Sequence, residues 1–355
     1  SSDDVNNWIN ALESVTSSTA VSNAKASIER YRQLEAHISE AYATVEANPR
    51  NHGKEAFAEE LGAIEDRYHA SAYANSEIDA AIIAVKGITN RYFMADAVAL
   101  ATEGNPVDVT FMVSNPSFKG DSYASWTTSP NPGMAYESAE FFNTNFNIYQ
   151  TLIGMPAGTY RFQTRGFYRY GGQPENKAAH DNGTLKRNAK LYITHTTGGT
   201  QMAEVMAISD DPSEDTYWGG WSGEKYDGKP VPNNMQAADH AIIGCGKYVP
   251  RDGYNSVDIT VTETGDLTIG AKKETLVVND WTFFSDFSLY YVQPICYKLT
   301  LLVDNEVYHE LDVPCGRDLA AVMESLGIPA KEGHTFSGWS EIPATMPAED
   351  IVLEG

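Results

Sequence analysis

Near Gly104-Asn105-Pro106 the hydrophobic period of this chain changes from that of helices to that of strands, so no single layer of structure accommodates it. Before that point Val5, Trp8, Ile9 and Leu12 fall on one helical face. Tyr31, Leu34, Ile38, Ala41 and Val45 form a second seam with steps of three and four. Asn48-Pro49-Arg50-Asn51-His52-Gly53 interrupts the pattern, because proline and glycine both oppose a continuing helix. Phe57, Leu61, Ile64 and Tyr68 resume it, and Ile78, Ile82, Val85, Ile88 and Tyr92 complete it. The first hundred residues therefore predict a bundle of three or four helices.

From there to about residue 294 short alternating runs are cut by Gly, Pro, Asn and Asp, the pattern of antiparallel strands. The clearest run is 159–169, with Tyr160, Phe162, Thr164, Gly166 and Tyr168 on one side and Arg161, Gln163, Arg165, Phe167 and Arg169 on the other. Further strands are expected at 189–195, 256–262, 266–271 and 281–292, with a hairpin turn at Gly265-Asp266. Stretches 170–187 and 208–236 read as long loops, which in a compact domain are often functional. A third unit begins near residue 295. It has a hairpin around Asp304-Asn305, a helix over 318–326 and a strand around 335–339.

Charge narrows the partners. Forty-eight Asp and Glu against 25 Lys and Arg give a formal charge of -23, which repels phosphate backbones and anionic headgroups and argues against nucleic acid. No apolar run approaches the ~20 residues that span a bilayer, so no membrane insertion is expected within the chain. Three Cys indicate neither a disulfide-built scaffold nor a zinc module.

Two segments resemble known families. Residues 297–308 with Gly333-His334-Thr335-Phe336-Ser337-Gly338-Trp339 and Pro343-Ala344-Thr345-Met346-Pro347 resemble an internalin-type B repeat, also called a Listeria–Bacteroides repeat. The resemblance implies a small β-grasp-like module of an exported bacterial protein. Asn115-Pro116-Ser117-Phe118 ahead of Trp126, together with 148–152, 156–162, 165–169 and 280–291, looks like a galactose-binding-like jelly roll of Bacteroidetes surface proteins. That fold houses many non-catalytic carbohydrate-binding modules, but function does not follow from fold alone. The expected architecture is a multidomain α + β chain: a helical bundle at 1–100, an antiparallel β-sandwich at 101–294 and a β-grasp-like module at 295–355.

Related jelly rolls often hold a structural calcium, beside a motif Asn-Pro-x-Phe-Glu. Lys119 stands here in place of the Glu, leaving Asp108 and Asp286 as oxygens at hand. No cofactor is expected, with that calcium the open alternative.

No Gly-x-Ser-x-Gly elbow, Walker loop, dinucleotide fingerprint or His-Glu-x-x-His occurs, and Gly219-Gly220-Trp221-Ser222-Gly223 has the wrong spacing for an elbow. Acidic pairs such as Asp210/Asp211 and Glu214/Asp215 read as solvated loop, and the eight His stand singly without ligand spacing. The chain is expected not to be an enzyme, and a glycoside hydrolase is the distant third reading. Tyr217, Trp218, Trp221 and Tyr226 crowd one Gly/Asp-rich segment. They either pin a long loop or offer faces on which sugar rings stack. Gln163, Arg165 and Arg169 beside Phe167 form a second candidate glycan face, or simply the wet side of a sheet. Cys296 and Cys315 fall near one another across the last hairpin and could pair, leaving Cys245 buried and inert. These readings favour an extracellular or cell-surface protein that binds glycan through the sandwich. The alternative is a structural or adhesive surface protein with a protein partner or a spacer role.

Overall fold

The computed structural model describes residues 5, 6, 9, 19–216, 219–251, 253–315, 317–330, 333–347 and 349–355. Trp8 and Leu12 of the first expected helical face, and Tyr217 and Trp218 of the aromatic segment, lie outside the described residues.

Helices α1 (Thr19–Ala47), α2 (Lys54–His69) and α3 (Asn75–Leu100) pack through the positions their period singled out, with Leu34, Ile38, Phe57, Leu61, Ile78, Val85 and Tyr92 in one core. The break between α1 and α2 ends at Gly53, whose φ of 84° favours glycine and where a Cβ would come within 2.6 Å of the Ala95 methyl. Beyond the bundle, α3 continues onto the strands. Met94, Ala97 and Ala101 lie in the sandwich core, and Asn90 Nδ2 donates to the Ile153 carbonyl at 2.8 Å.

Two antiparallel sheets face each other across that core. The first contains β1 (Val107–Asp108), β3 (Gly133–Ala135), β4 (Ser138–Phe142), β6 (Gly158–Arg169), β11 (Ser256–Val261) and β13 (Trp281–Gln293), in the order β11-β6-β13-β4-β3 with β1 also on β13. The second runs β2 (Thr127–Ser129), β5 (Phe146–Met155), β12 (Gly265–Lys273), β7 (Ala189–His195) and β8 (Gly199–Glu204). Phe162, Phe287 and Leu289 from one sheet meet Ile148, Ile193 and Ile269 from the other. The expected combination of helices and antiparallel sandwich is what the structure shows.

Several local expectations change. The turn at Gly265-Asp266 is not a hairpin, because β11 pairs with β6 while β12 pairs with β5 and β7, so the chain crosses between sheets there. Segment 170–187 contains helix α4 (Gln173–Asp181). Segment 208–236 contains the hairpin β9 (Trp221–Tyr226) and β10 (Lys229–Pro232) and runs into α5 (Met235–Asp239).

In the last unit β14 (Cys296–Val303) and β15 (Glu306–Pro314) form the expected hairpin, and β16 (Ile351–Glu354) adds parallel to β14. Asp318 caps α6 (Leu319–Leu326) by accepting from the amides of Ala320 and Ala321. Residues 335–339 form no strand; Phe336 and Trp339 pack edge-on with centroids 5.0 Å apart. All three cysteines are free thiols, so Cys296 and Cys315 form no disulfide although β14 and β15 bring their backbones together.

Candidate functional site

Strand β6 carries the predicted polar face, and its period holds: Tyr160, Phe162, Thr164 and Tyr168 are buried between the sheets while Arg161, Gln163 and Arg165 face outward, each partly exposed. Neighbouring strands continue the outward ranks. Arg161 stands between Asp258 and Tyr290, Gln163 between Ser256 and Ser288, and Arg165 beside Asp286. The ranks are bonded crosswise. Arg161 donates to both oxygens of Asp258 at 2.9 and 2.8 Å, Gln163 Nε2 donates to Ser256 Oγ at 3.1 Å, and Arg165 Nε donates to both Asp286 oxygens at 3.0 and 2.9 Å. The carboxylate of Asp286 holds the Arg165 guanidinium above its ordinary pKa. Half-buried Tyr290 is the one aromatic ring in these ranks.

One turn further along the same face the environment reverses. Residues 204–254 fold over the sheet and build a second apolar cluster, in which Met206, Ile208, Tyr226, Val231, Ile242 and Tyr248 cover Phe167, Trp281 and Phe283. Asn255 fastens this cover. Its Nδ2 donates to the Gly166 and Tyr248 carbonyls at 2.8 and 2.9 Å, and its Oδ1 accepts from the Met206 amide at 2.8 Å. A buried side chain that satisfies three backbone groups at once locks the two layers in register.

The predicted residues therefore divide. Gln163 and Arg165 are brought together on the open half. Arg169 is not with them: it is 6% exposed, donates to Gly171, Asn233 and Asn279 oxygens, and lies over the Trp281 ring at 5.4 Å. Desolvation pulls its pKa down. Tyr226 is 2% exposed and accepts from Asn176 Nδ2 through its hydroxyl, so it is a core residue with no face to offer a ligand. Trp221 is half-buried against the same cluster, edge-on to His240, and thus holds the loop down.

Trp281, Phe283, Phe287, Leu289 and Tyr291 nearly alternate in the sequence and predict one buried row, which puts Tyr290 on the opposite face with no residue pattern to mark it as a site. A bulge between Phe284 and Asp286 shifts the phase. Trp281 and Phe283 face the cover, whereas Phe284, Phe287, Leu289 and Tyr291 face the sandwich core, and this aims Asp286, Ser288 and Tyr290 outward.

The oxygens that a calcium would need are engaged elsewhere. Both Asp286 oxygens accept from Arg165, Asp108 Oδ1 accepts from the Thr110 amide at 2.8 Å, and Asn115 Oδ1 accepts from the Lys119 amide at 2.8 Å. A carboxylate already matched by a guanidinium is a poor ligand for a hard cation.

A separate groove of about 720 Å³ opens where α1 and α3 face the second sheet, and His37, Lys86, Asn90, Tyr149 and Thr151 line it.

No protein-family profile and no curated protein matches the chain. Among solved structures it is similar to TmCBM61 in complex with beta-1,4-galactotriose, at 18% identity over 51% of this chain and 97% of that one, with a TM-score of 0.24. So slight a likeness carries no argument, and the fold and site rest on the strands and contacts described above.

Proposed function

We propose that this chain is a non-catalytic glycan-binding protein of the cell exterior, that the open half of the first sheet takes the sugar, and that the helical and last units serve as spacer or attachment parts. The observation that supports this reading is Tyr290, half-buried within ranks of mutually bonded Arg, Asp, Gln and Ser side chains. A pyranose presents an apolar C–H face that stacks on such a ring, and its equatorial hydroxyls then meet the flanking donors and acceptors. Because Arg161 and Arg165 are already held by carboxylates, the face is ordered before ligand arrives, which lowers the entropy cost of binding. The covered half rises beside it as a wall, with the Asp239 carboxyl at its foot pushed up by desolvation. A formal charge of -23 favours neutral over sulfated or uronic sugars. Shallow stacking with a few hydroxyl contacts places affinity at about micromolar or weaker, that is about -8 kcal/mol or less in magnitude.

The test is a screen of the full chain against plant, microbial and host glycans, β-1,4-galactan among them. Neutral glycans are expected to bind the wild type and to be lost in a Tyr290→Ala/Gln163→Ala variant. Binding retained by that variant but lost in Tyr149→Ala would move the site to the helix-side groove; no binding by the wild type would overturn the reading.

A second reading, contact with protein through the last unit, is favoured by the exposure there of Val307, Ile328 and Val352 at 62, 76 and 56%. Sedimentation of the full chain over a range of concentrations tests whether a second copy is that protein.

A further inference from the structure

Within the covering insertion, α5 runs into a π-helical turn, His240–Gly244, in which the Cys245 amide donates to the His240 carbonyl at 3.0 Å. An i→i+5 bond stacks residues five apart along one side, so His240 and Cys245 point to the same place. At Gly244 a Cβ would lie 2.7 Å from His240 Nδ1, and only glycine leaves the imidazole room to lie back over the turn. The third group comes from 211–216. Asp211 accepts from Lys247 Nζ at 3.3 Å and the Tyr248 amide at 2.8 Å, Glu214 pairs with Lys229 at 2.9 Å, and the Ser213 amide donates to the Pro230 carbonyl at 3.3 Å. Fixed on both sides in this way, the segment presents Asp215 to His240 with Oδ2 3.3 Å from Nε2.

One ligand atom each from Asp215, His240 and Cys245 thus lies within 4.8 Å of the other two. With bonds of about 2.0–2.3 Å, a tetrahedral zinc spaces its donors by about 3.3–3.7 Å; Asp215 Oδ2 and His240 Nε2 already stand 3.3 Å apart, and the thiol closes in by a side-chain rotation. Thiolate with imidazole and carboxylate is a set that zinc accepts and that calcium or magnesium does not.

We propose that Asp215, His240 and Cys245 form a zinc site that clamps segment 211–216 to the π turn, with water completing the zinc's coordination. As the zinc–sulfur bond forms, the Cys245 thiol proton leaves to solvent, and no oxidant or reductant is involved. The site is independent of the glycan reading and stiffens the wall beside the open face.

The experiment uses the full chain carrying Cys296→Ser and Cys315→Ser, so that the two exposed thiols contribute nothing. Chelator-treated protein is titrated with Co²⁺ and then with Zn²⁺. The expected result is one equivalent of cobalt with visible bands of tetrahedral geometry and a near-ultraviolet thiolate-to-cobalt band, all displaced by zinc. Cys245→Ser should abolish the near-ultraviolet band, and His240→Gln should weaken cobalt binding at least tenfold. Zinc should also raise the melting temperature of the parent but not of His240→Gln or Asp215→Asn, a readout that stands even if Cys245→Ser fails to fold. A simple His240–Asp215 ion pair predicts none of this. Absence of cobalt uptake by the parent, a charge-transfer band that survives Cys245→Ser, or a zinc-induced rise that survives both other substitutions would overturn the proposal.

Discussion

Arg165 and Arg169 lie four residues apart on the same strand and the same sheet face, yet one is a surface residue held by a carboxylate and the other is a buried brace over an indole ring. Nothing in the strand itself makes the difference. Among the described residues, those of 204–254 cover the end of the face that holds Phe167 and Arg169 and leave Arg161, Gln163 and Arg165 partly exposed. Alternation therefore assigns a side chain to a side of the sheet, while distant sequence decides whether that side is wet.

The largest effect expected from this contrast is on stability. Phe167→Ala removes a fully buried ring from the covered half and should cost about 3–5 kcal/mol in urea unfolding. Arg161→Ala on the open half should cost no more than about 1 kcal/mol. Similar costs at both positions would erase the distinction between the halves.

Asn255→Ala comes next. It removes the Asn255 bonds to the Met206 amide and the Gly166 and Tyr248 carbonyls, the last of which keeps the Gly166 amide at 3.1 Å, and should destabilise by about 2–4 kcal/mol, with faster hydrogen exchange across 204–254 than in β12. Uniform exchange in both regions would show that the cover and sheet open as one unit, a sharper version of the comparison.

A smaller effect concerns pH. Glu140 accepts from Trp281 Nε1 at 2.9 Å beneath the covered half, and desolvation raises its carboxyl above the ordinary value of 4.5. A raised carboxyl pKa contributes stability that is present below 4.5 and lost as the pH rises through the folded value. Glu140→Gln should therefore lose less stability than the wild type between pH 4.5 and pH 8, measured by urea unfolding at each pH. Parallel pH profiles would show that this end of the face is wetter than described.

Much of the architecture could be read from local pattern. The helical seams at Leu34–Val45 and Ile78–Tyr92, the strand at 159–169, the turn at Asp304-Asn305 and the Asp318 cap each depend on residues close in sequence. What escaped depends on partners far away or on phase. Gly265-Asp266 has hairpin chemistry, but its flanking strands pair with different sheets. Tyr226 sits in an aromatic-rich segment, yet its ring faces Asn176 and the insertion core. The bulge after Phe284 puts Trp281 and Phe283 under the cover while Phe287, Leu289 and Tyr291 face the sandwich core, since a one-residue shift exchanges the two faces of a strand. His240 and Cys245 showed no ligand spacing because a π turn aligns residues five apart, an interval outside the usual helical signals.

Calorimetric titration of the full chain with its best glycan, comparing wild type, Tyr290→Ala and Tyr226→Phe, tests the central claim most directly. An open binding half beside a covered structural half predicts at least a tenfold loss, about 1.4 kcal/mol, for Tyr290→Ala and unchanged affinity for Tyr226→Phe. Wild-type affinity in Tyr290→Ala, or a loss confined to Tyr226→Phe, would contradict it.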